Sequence, residues 1–410
     1  METIAFYSYK GGVGRSLLVA NAARFLGMLG KCVVALDLDF EAPGLHYKLG
    51  PAPAPEEKAG TAGGAVPYLV ATAKGAKNPP PLEEHMIELA IPKGAGGRLL
   101  LMPAGPAPRR EYWTALKQLR ERLRFDDPSG KGLAALLDLH ARIQDELHPD
   151  YLLIDARTGV TELGGLATTA LADCVVCLLV ANQESVDGTL AIVDALKAST
   201  RLPGLRPLRV VPVVARATGD MPRQGRTAEG IKRLVEIGEG QKTGEKGDSK
   251  PFVLPHDNVL GATDNVVGGE KKASTFSPLH KAYLELFQHL FPHARKEAEQ
   301  VLHRLEAVLI VERVRDGLGA KGELALEICL GKTTFREYST ITGISNRTVA
   351  RNFAQGIAEL RKAACRQLVD EFGEAATRTF IEAVLAVRKA GTPKPIPSGV
   401  RRFLKNLQDT

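Results

Sequence analysis

The amino-acid sequence predicts an α/β fold: a parallel sheet covered by helices on both faces, followed by a smaller all-α domain. Three observations carry that prediction. Short apolar, β-rich runs alternate with helix-length stretches as far as Phe291, which is the pattern of parallel strands buried on both sides. A glycine-rich turn, Lys10-Gly11-Gly12-Val13-Gly14-Arg15-Ser16, hangs between the first such run and the first helix-like stretch. After Pro292 the strand-like runs cease, and residues 295–390 read as helix. The predicted domains are therefore 1–292 and 293–410.

In chain order the strand runs are TIAFYSY, CVVALDLD, GRLLLMPAG, YLLIDA, DCVVCLLVAN, LRVVPVVAR and PFVLP. Each is rich in Val, Ile or Leu and bounded by turn or helix signals. Helices are expected after the glycine turn (LLVANAARFLGMLG) and over Tyr112–Leu123, Leu133–Leu147 and Gly188–Leu196, with a closing helix over His280–Phe291. The Pro- and Gly-rich segments Pro51–Gly64 and Gly238–Lys250 read as solvent loops, the second a moving one. There is no internal repeat.

With 410 residues, 44% hydrophobic and 25% charged, the chain falls in the soluble globular class and has room for two cores. No apolar run approaches the roughly 20 residues of a membrane span, and METIAFYSYKGG lacks the pattern of a signal segment; the expected location is cytoplasmic. Of the five cysteines, Cys174 and Cys177 form a CxxC inside an apolar strand run, which reads as core thiols rather than a metal knuckle. The net charge of +7 is uneven. Residues 291–410 hold 20 Lys+Arg against 14 Asp+Glu, and the rest hold 34 against 33. A nucleic-acid surface and a merely solvated helical face both fit that excess.

The glycine turn is a phosphate cradle. Gly11, Gly12 and Gly14 allow backbone angles other residues avoid, and the amides at the helix start direct partial positive charge at an anion. The candidate nucleotide-binding set runs from Lys10 through Gly11, Gly12, Val13, Gly14 and Arg15 to Ser16 and Leu17, with the Ser16 hydroxyl suited to Mg²⁺. Arg15 stands where such a loop ordinarily has lysine. A guanidinium grips phosphate oxygens as a planar fork but cannot act as a compact point charge.

KGGxG with an early lysine resembles the deviant P-loop of the ParA/MinD group of dimerising ATPases. The resemblance implies ATP and Mg²⁺ as cofactors and a nucleotide-dependent homodimer in which Lys10 reaches the partner's nucleotide. It implies that Asp39, second carboxylate of Asp37-Leu38-Asp39, positions the attacking water, while Asp37 supports the metal site. DYLLIDARTG resembles a Walker B strand and switch II: Asp155 holds the Mg²⁺ shell, Gly159 is a hinge, and Arg157 reads phosphate charge, pairs with a carboxylate across a dimer, or forms a simple surface ion pair. VANQES resembles the loop after the next strand, and LPHDN resembles the loop whose Pro255 and Asp257 touch base and ribose. At Ala215-Arg216 relatives usually offer Asn and a basic residue, so Arg216 is the candidate there and the choice between adenine and guanine stays open.

Thr334–Lys362 has the spacing of a helix, a tight turn and a second helix. Phe335, Tyr338 and Ile341 are expected on the buried side of the first helix, Gly343 in the turn, and Ser345 as cap of the second. Val349, Phe353, Ile357 and Leu360 form one apolar stripe, which leaves Asn346, Arg347, Arg351 and Gln355 outward, available to a DNA major groove. The segment resembles the sigma-factor region-four helix-turn-helix; protein contact is the competing use. Arg366, Arg388, Lys389, Arg401, Arg402 and Lys405 are candidate phosphate contacts. The terminal VRRFLKNLQ carries little apolar surface, so a membrane partner ranks low.

The expected function is an ATP- and Mg-dependent dimerising switch that couples nucleotide state to DNA binding, with slow hydrolysis and a possible protein partner that stimulates it. The alternatives are a nucleotide sensor with little hydrolysis, or a scaffold subunit using its helices for protein contacts. KGGVGR-type variants also resemble components of bacterial defence and mobile-element modules.

Overall fold

A computed structural model describes residues 1–49, 63–73, 79–91, 96–106, 109–126, 130–199, 206–219, 221–243, 248–257, 278–294, 318–329 and 335–367. The chain divides into two compact units, Met1–Ala294 and Arg295–Thr410.

The first unit is an α/β layer structure. Its elements are β1 (Glu2–Ser8), α1 (Arg15–Met28), β2 (Cys32–Asp37), α2 (Leu45–Leu49), α3 (Ala65–Ala73), β3 (Ile87–Leu89), β4 (Arg98–Met102), α4 (Arg110–Leu123) and α5 (Lys131–Leu147). There follow β5 (Tyr151–Asp155), α6 (Glu162–Leu166), β6 (Cys174–Leu179), α7 (Gln183–Ala198), β7 (Arg209–Ala217), α8 (Arg226–Ile237), β8 (Gln241–Thr243), β9 (Asp248–Lys250), β10 (Phe252–Pro255) and α9 (Pro278–Leu290). Eight strands form one sheet in the order β10-β7-β6-β1-β5-β2-β4-β3. Every pairing is parallel except that of β3 with β4.

Because β1 lies between β5 and β6, the loop after it opens where successive strands diverge to the two sides of the sheet, the usual place for a ligand in such folds. Strand register sets the rest of the site. Asp155 pairs with Phe6 on one side and with Asp37 on the other, so two acidic strand ends stand side by side next to the glycine turn.

Burial explains why these runs are strands. Ile4, Ala5 and Phe6, Val33 to Ala35 and Leu152 to Ile154 are fully buried, and so are Cys174 and Cys177; the CxxC pair is packed inside β6 with both thiols pushed up to about 12 by burial. Helix α1 is apolar around most of its surface, with Leu18, Val19, Ala22, Phe25 and Leu26 at zero exposure. It is closed over by α9, where the Phe25 and Phe287 rings lie 5.1 Å apart.

Several elements of this unit depart from the sequence reading. Part of the stretch taken as a moving solvent loop pairs as the antiparallel ribbon β8–β9. The three-residue β3 closes one sheet edge antiparallel, and α3 and α8 were not anticipated at all. The hydrophobic content of α3 reads equally as strand or helix, and AVPYLVATA puts a proline in its first turn, where the missing N–H costs nothing.

His46, His85 and His140 lie in this unit, and burial lowers the pKa of each. The His140 ring bonds Thr3 Oγ1 at 2.9 Å, and the nearby Asp173 charge only partly opposes the shift. A histidine held neutral contributes stability that is complete above its ordinary pKa of 6.5 and is lost as pH falls below it. Buried Asp37 and Asp155 act in the opposite sense, their pKa values being raised mainly by burial. The His140→Gln variant should therefore melt with a flatter dependence on pH below about 6.5 than the parent chain. Parallel melting curves across that range would show that His140 carries no such linkage.

In the second unit the described helices are Ala320–Cys329, Phe335–Thr342 and Asn346–Gln367. Gly343 takes φ +70° in the turn, Ser345 Oγ accepts the Thr348 amide at 3.3 Å, and Val349 and Phe353 are buried. The first and third helices cross closely at Gly356, where a Cβ would collide with the Lys321 carbonyl. One expectation is overturned: Ile341 is 82% exposed. At eight residues, the helix Phe335–Thr342 turns its next-to-last position to solvent instead of continuing the stripe. Residues 295–317 and 368–410, with Arg388, Lys389, Arg401, Arg402, Lys405 and the terminal VRRFLKNLQ, lie outside the described residues, as do the side chains of Phe335, Ile357, Leu360 and Arg366. No described helix is long and apolar enough to cross a membrane.

Candidate functional site

The turn after β1 is shaped by its glycines. Gly12 has φ +72° and Gly14 φ +91°, left-handed angles costly for any residue with a Cβ. A Cβ on Gly11, Gly12 or Gly14 would meet nothing within 4 Å, so the turn borders open space and is not sealed beneath side chains. Val13 is the exception, buried at 4% exposure, and anchors the turn. Gly14 also caps α1, whose first amides lack partners within the helix.

The acidic strand ends converge on Arg15. Its Nε donates to Asp155 Oδ1 and its Nη2 to Asp39 Oδ2 at 2.7 Å, and all three side chains are at least nine-tenths buried. Burial works against the arginine's charge, and Asp155 and Asp39 more than offset it. The sequence assigned Arg15 to phosphate; the structure turns it inward onto carboxylates. Asp37 also has an occupied carboxylate: Oδ1 accepts the Asp39 amide at 3.0 Å, and Oδ2 accepts those of Gly44 and Leu45. It shapes the loop that carries Asp39.

Asp155 is different. Its Oδ2 is buried without a hydrogen-bond partner among the described residues, and the Ser16 hydroxyl lies close enough to lower its pKa against the larger effect of burial. A carboxylate oxygen beside a hydroxyl is a hard oxygen pair of the sort magnesium takes. Among the described residues no three or more His, Cys, Asp or Glu side chains surround a metal position, so an ion here would draw its remaining ligands from phosphate oxygens and water. The residues fit a triphosphate carrying magnesium.

Around this centre Lys10 pairs with Glu184 in the first turn of α7 and lies 5.7 Å from the Tyr9 ring centroid. That pairing raises the lysine's pKa. Arg157 pairs within the chain with Glu41, which also takes Arg120 from α4. Gly159 accepts the Tyr7 hydroxyl at 3.0 Å and donates to the Ser8 carbonyl. Leu17 follows Ser16 in the first turn of α1.

Arg216, next to last in β7, has φ +55° and donates through Nη1 to the Gly12 carbonyl at 2.7 Å. It also helps line a hollow with Ala181, Asn182, Thr218, Met221 and Pro222. Pro255 is in register with Ala217, and His256 N donates to Ala217 O at 2.9 Å, which brings Pro255 and Asp257 to the same edge. The fold thus gathers Lys10 to Leu17, Asp39, Asp155, Arg216, Pro255 and Asp257 at one end of the sheet. Asn346, Arg347, Arg351 and Gln355 belong to the second unit, where all four are exposed and Gln355 accepts from Lys321 at 2.6 Å.

No family model and no curated protein matches the sequence. Solved structures do. The chain is similar to the cell division ATPase MinD of Pyrococcus furiosus at 19% identity and a TM-score of 0.47, covering 72% of this chain and 99% of that one. It is similar to a ParA family ATPase of Chlorobium tepidum at 17% identity and a TM-score of 0.45, over 70% and 98%. It is also similar to cobyrinic acid a,c-diamide synthase of Mycobacterium smegmatis, solved with an ATP analog and magnesium, at 18% and 0.44, over 72% and 95%.

Sequence reasoning missed Glu41, Glu184 and Gly188. Glu41 offered a weak signal, an acid two residues beyond the Asp37–Asp39 pair. Gly188 offered none: a Cβ there would strike the Tyr9 ring, a contact between residues remote in the chain.

Proposed function

We propose that this chain is an ATP- and Mg-dependent dimerising switch that couples nucleotide state to DNA binding through its helix-turn-helix. The observation that carries this reading is the convergence of Asp39 and Asp155 on the first residue of the helix behind an open glycine turn. The turn offers amides to phosphate, Asp155 and Ser16 hold the metal, and Asp39 orients water for slow hydrolysis. Lys10 exchanges Glu184 for the phosphates of a second copy, and Arg216, Pro255 and Asp257 border the base. Pairing two weak helix-turn-helix modules strengthens DNA binding by raising effective concentration. Asn346, Arg347, Arg351 and Gln355 are the DNA-contacting side chains.

One observation favours a variant with little turnover: Asp39, the water-orienting group, is already committed to Arg15. Another favours protein contact by the helical unit, the exposed Ile341.

Light scattering and phosphate release, measured together with ATP, GTP, ADP and a non-hydrolysable analogue, test the proposal. The expected result is a dimer with ATP and with the analogue, a monomer with ADP, and phosphate release abolished by Asp39→Ala. Salt-dependent DNA binding should appear with the dimer and weaken in the Arg347→Ala/Arg351→Ala chain, nucleotide affinity being unchanged. Absence of triphosphate binding by folded protein would overturn the whole reading.

A further inference from the structure

We infer that Arg15 is the resident counter-cation of the strand-end carboxylates, so that magnesium can take Asp155 only after the arginine has been lifted away. The inference rests on the proposed reading of the glycine turn as a triphosphate site.

Arg15 is the first residue of α1. A cation is disfavoured there, because the positive end of the helix dipole repels it. Its side chain is nonetheless 6% exposed and bridges the loop just after β2 to the end of β5 through separate nitrogens, to Asp39 and to Asp155. A planar fork suits that task, since two nitrogens of one group can serve two separate carboxylates, whereas an ammonium is a single compact charge. Without a cation, Asp39 and Asp155 would lie buried together with Asp37 beside them. The bridge satisfies the arginine incompletely: Nη1 is buried with no partner among the described residues.

Exclusion follows from geometry. A divalent ion on Asp155 would stand within contact distance of a guanidinium already bonded to that carboxylate, and the two cations would repel in a poorly screened site. With Arg15 in place the centre is therefore closed to the metal alone. Triphosphate changes this by giving the fork an alternative anion at the turn that begins one residue earlier. A single movement of Arg15 then frees Asp155 for metal and Asp39 for water. Lysine in the same place could pair with one carboxylate and leave the other available, so the arginine makes access all-or-none.

Thermal melting of the full chain with magnesium chloride alone, without nucleotide, tests this. The parent chain should melt at the same temperature with and without millimolar magnesium. The Arg15→Met chain strands two buried carboxylates and should melt roughly 10 °C lower, with magnesium alone restoring a large part of the loss. Adding Asp39→Asn to Arg15→Met should recover stability without metal and shrink the magnesium response. Should Arg15→Met fail to fold, Arg15→Lys supplies the same readout, a smaller loss and a partial magnesium response. Equal stabilisation of parent and variant by magnesium, or a variant indifferent to it, overturns the inference. Calorimetry with ATP on the same samples separates the two claims: magnesium rescue without ATP binding defeats only the nucleotide reading, and ATP binding without magnesium rescue defeats only the counter-cation.

Discussion

The Gly14→Val chain is expected to lose ATP binding by at least about 100-fold while keeping its secondary structure. Gly14 sits at φ +91° and ψ +18° as the cap of α1, a left-handed conformation that a β-branched residue reaches only under strain. No atom lies within 4 Å of the position a Cβ would take, so the substitution does not wedge the core apart. The turn relaxes instead to another conformation, and the amides at the start of α1 no longer converge on one anion. Calorimetry with ATP reads the loss, and far-ultraviolet circular dichroism should match the parent. Undiminished affinity would place the ligand elsewhere.

Truncating Tyr112 should produce the largest loss of stability. The ring is fully buried in the main core, lies so close to Gly105 that a Cβ there would be 2.7 Å from it, and its hydroxyl donates to the Phe40 carbonyl at 2.6 Å. Tyr112→Ala removes the whole packing unit and should cost about 4 kcal/mol. Tyr112→Phe keeps the ring but strands the carbonyl, for about 1–2 kcal/mol. Urea midpoints of the two chains measure the difference. Because Phe40 follows Asp39, the phenylalanine variant should also slow phosphate release beyond what its modest stability loss explains; a phenylalanine variant with the parent's midpoint would remove the hydroxyl from the account.

The layer plan of the first unit was legible because parallel strands are apolar on both faces, and runs such as CVVALD and DCVVCLLV announce themselves in one dimension. The glycine turn was legible for a related reason: a short loop between strand and helix needs residues free of a Cβ. Partnership was not legible. KGGVGRS states that a cation follows Gly14, but whether it turns outward to an anion or inward to Asp39 and Asp155 depends on register between β2 and β5, which pairs Asp37 with Asp155. The partners of Asp37 were hidden in the same way, since nothing local shows that Gly44 and Leu45 fold back onto its carboxylate. Short pairings such as β3 and β8–β9 escaped because three residues cannot display a period.

The chain's sole tryptophan, Trp113, adjoins Tyr112 with ring centroids 5.7 Å apart and is 49% exposed. Its helix is tethered at two points to the segment after β2, by the Tyr112 hydroxyl on Phe40 and by Arg120 on Glu41, the carboxylate that also holds Arg157. Any rearrangement that draws Arg157 toward a ligand must renegotiate that shared acid and tug on α4. The protein thus carries an intrinsic fluorophore wired to its own acidic loop, and the colour of its emission would register occupancy without a label.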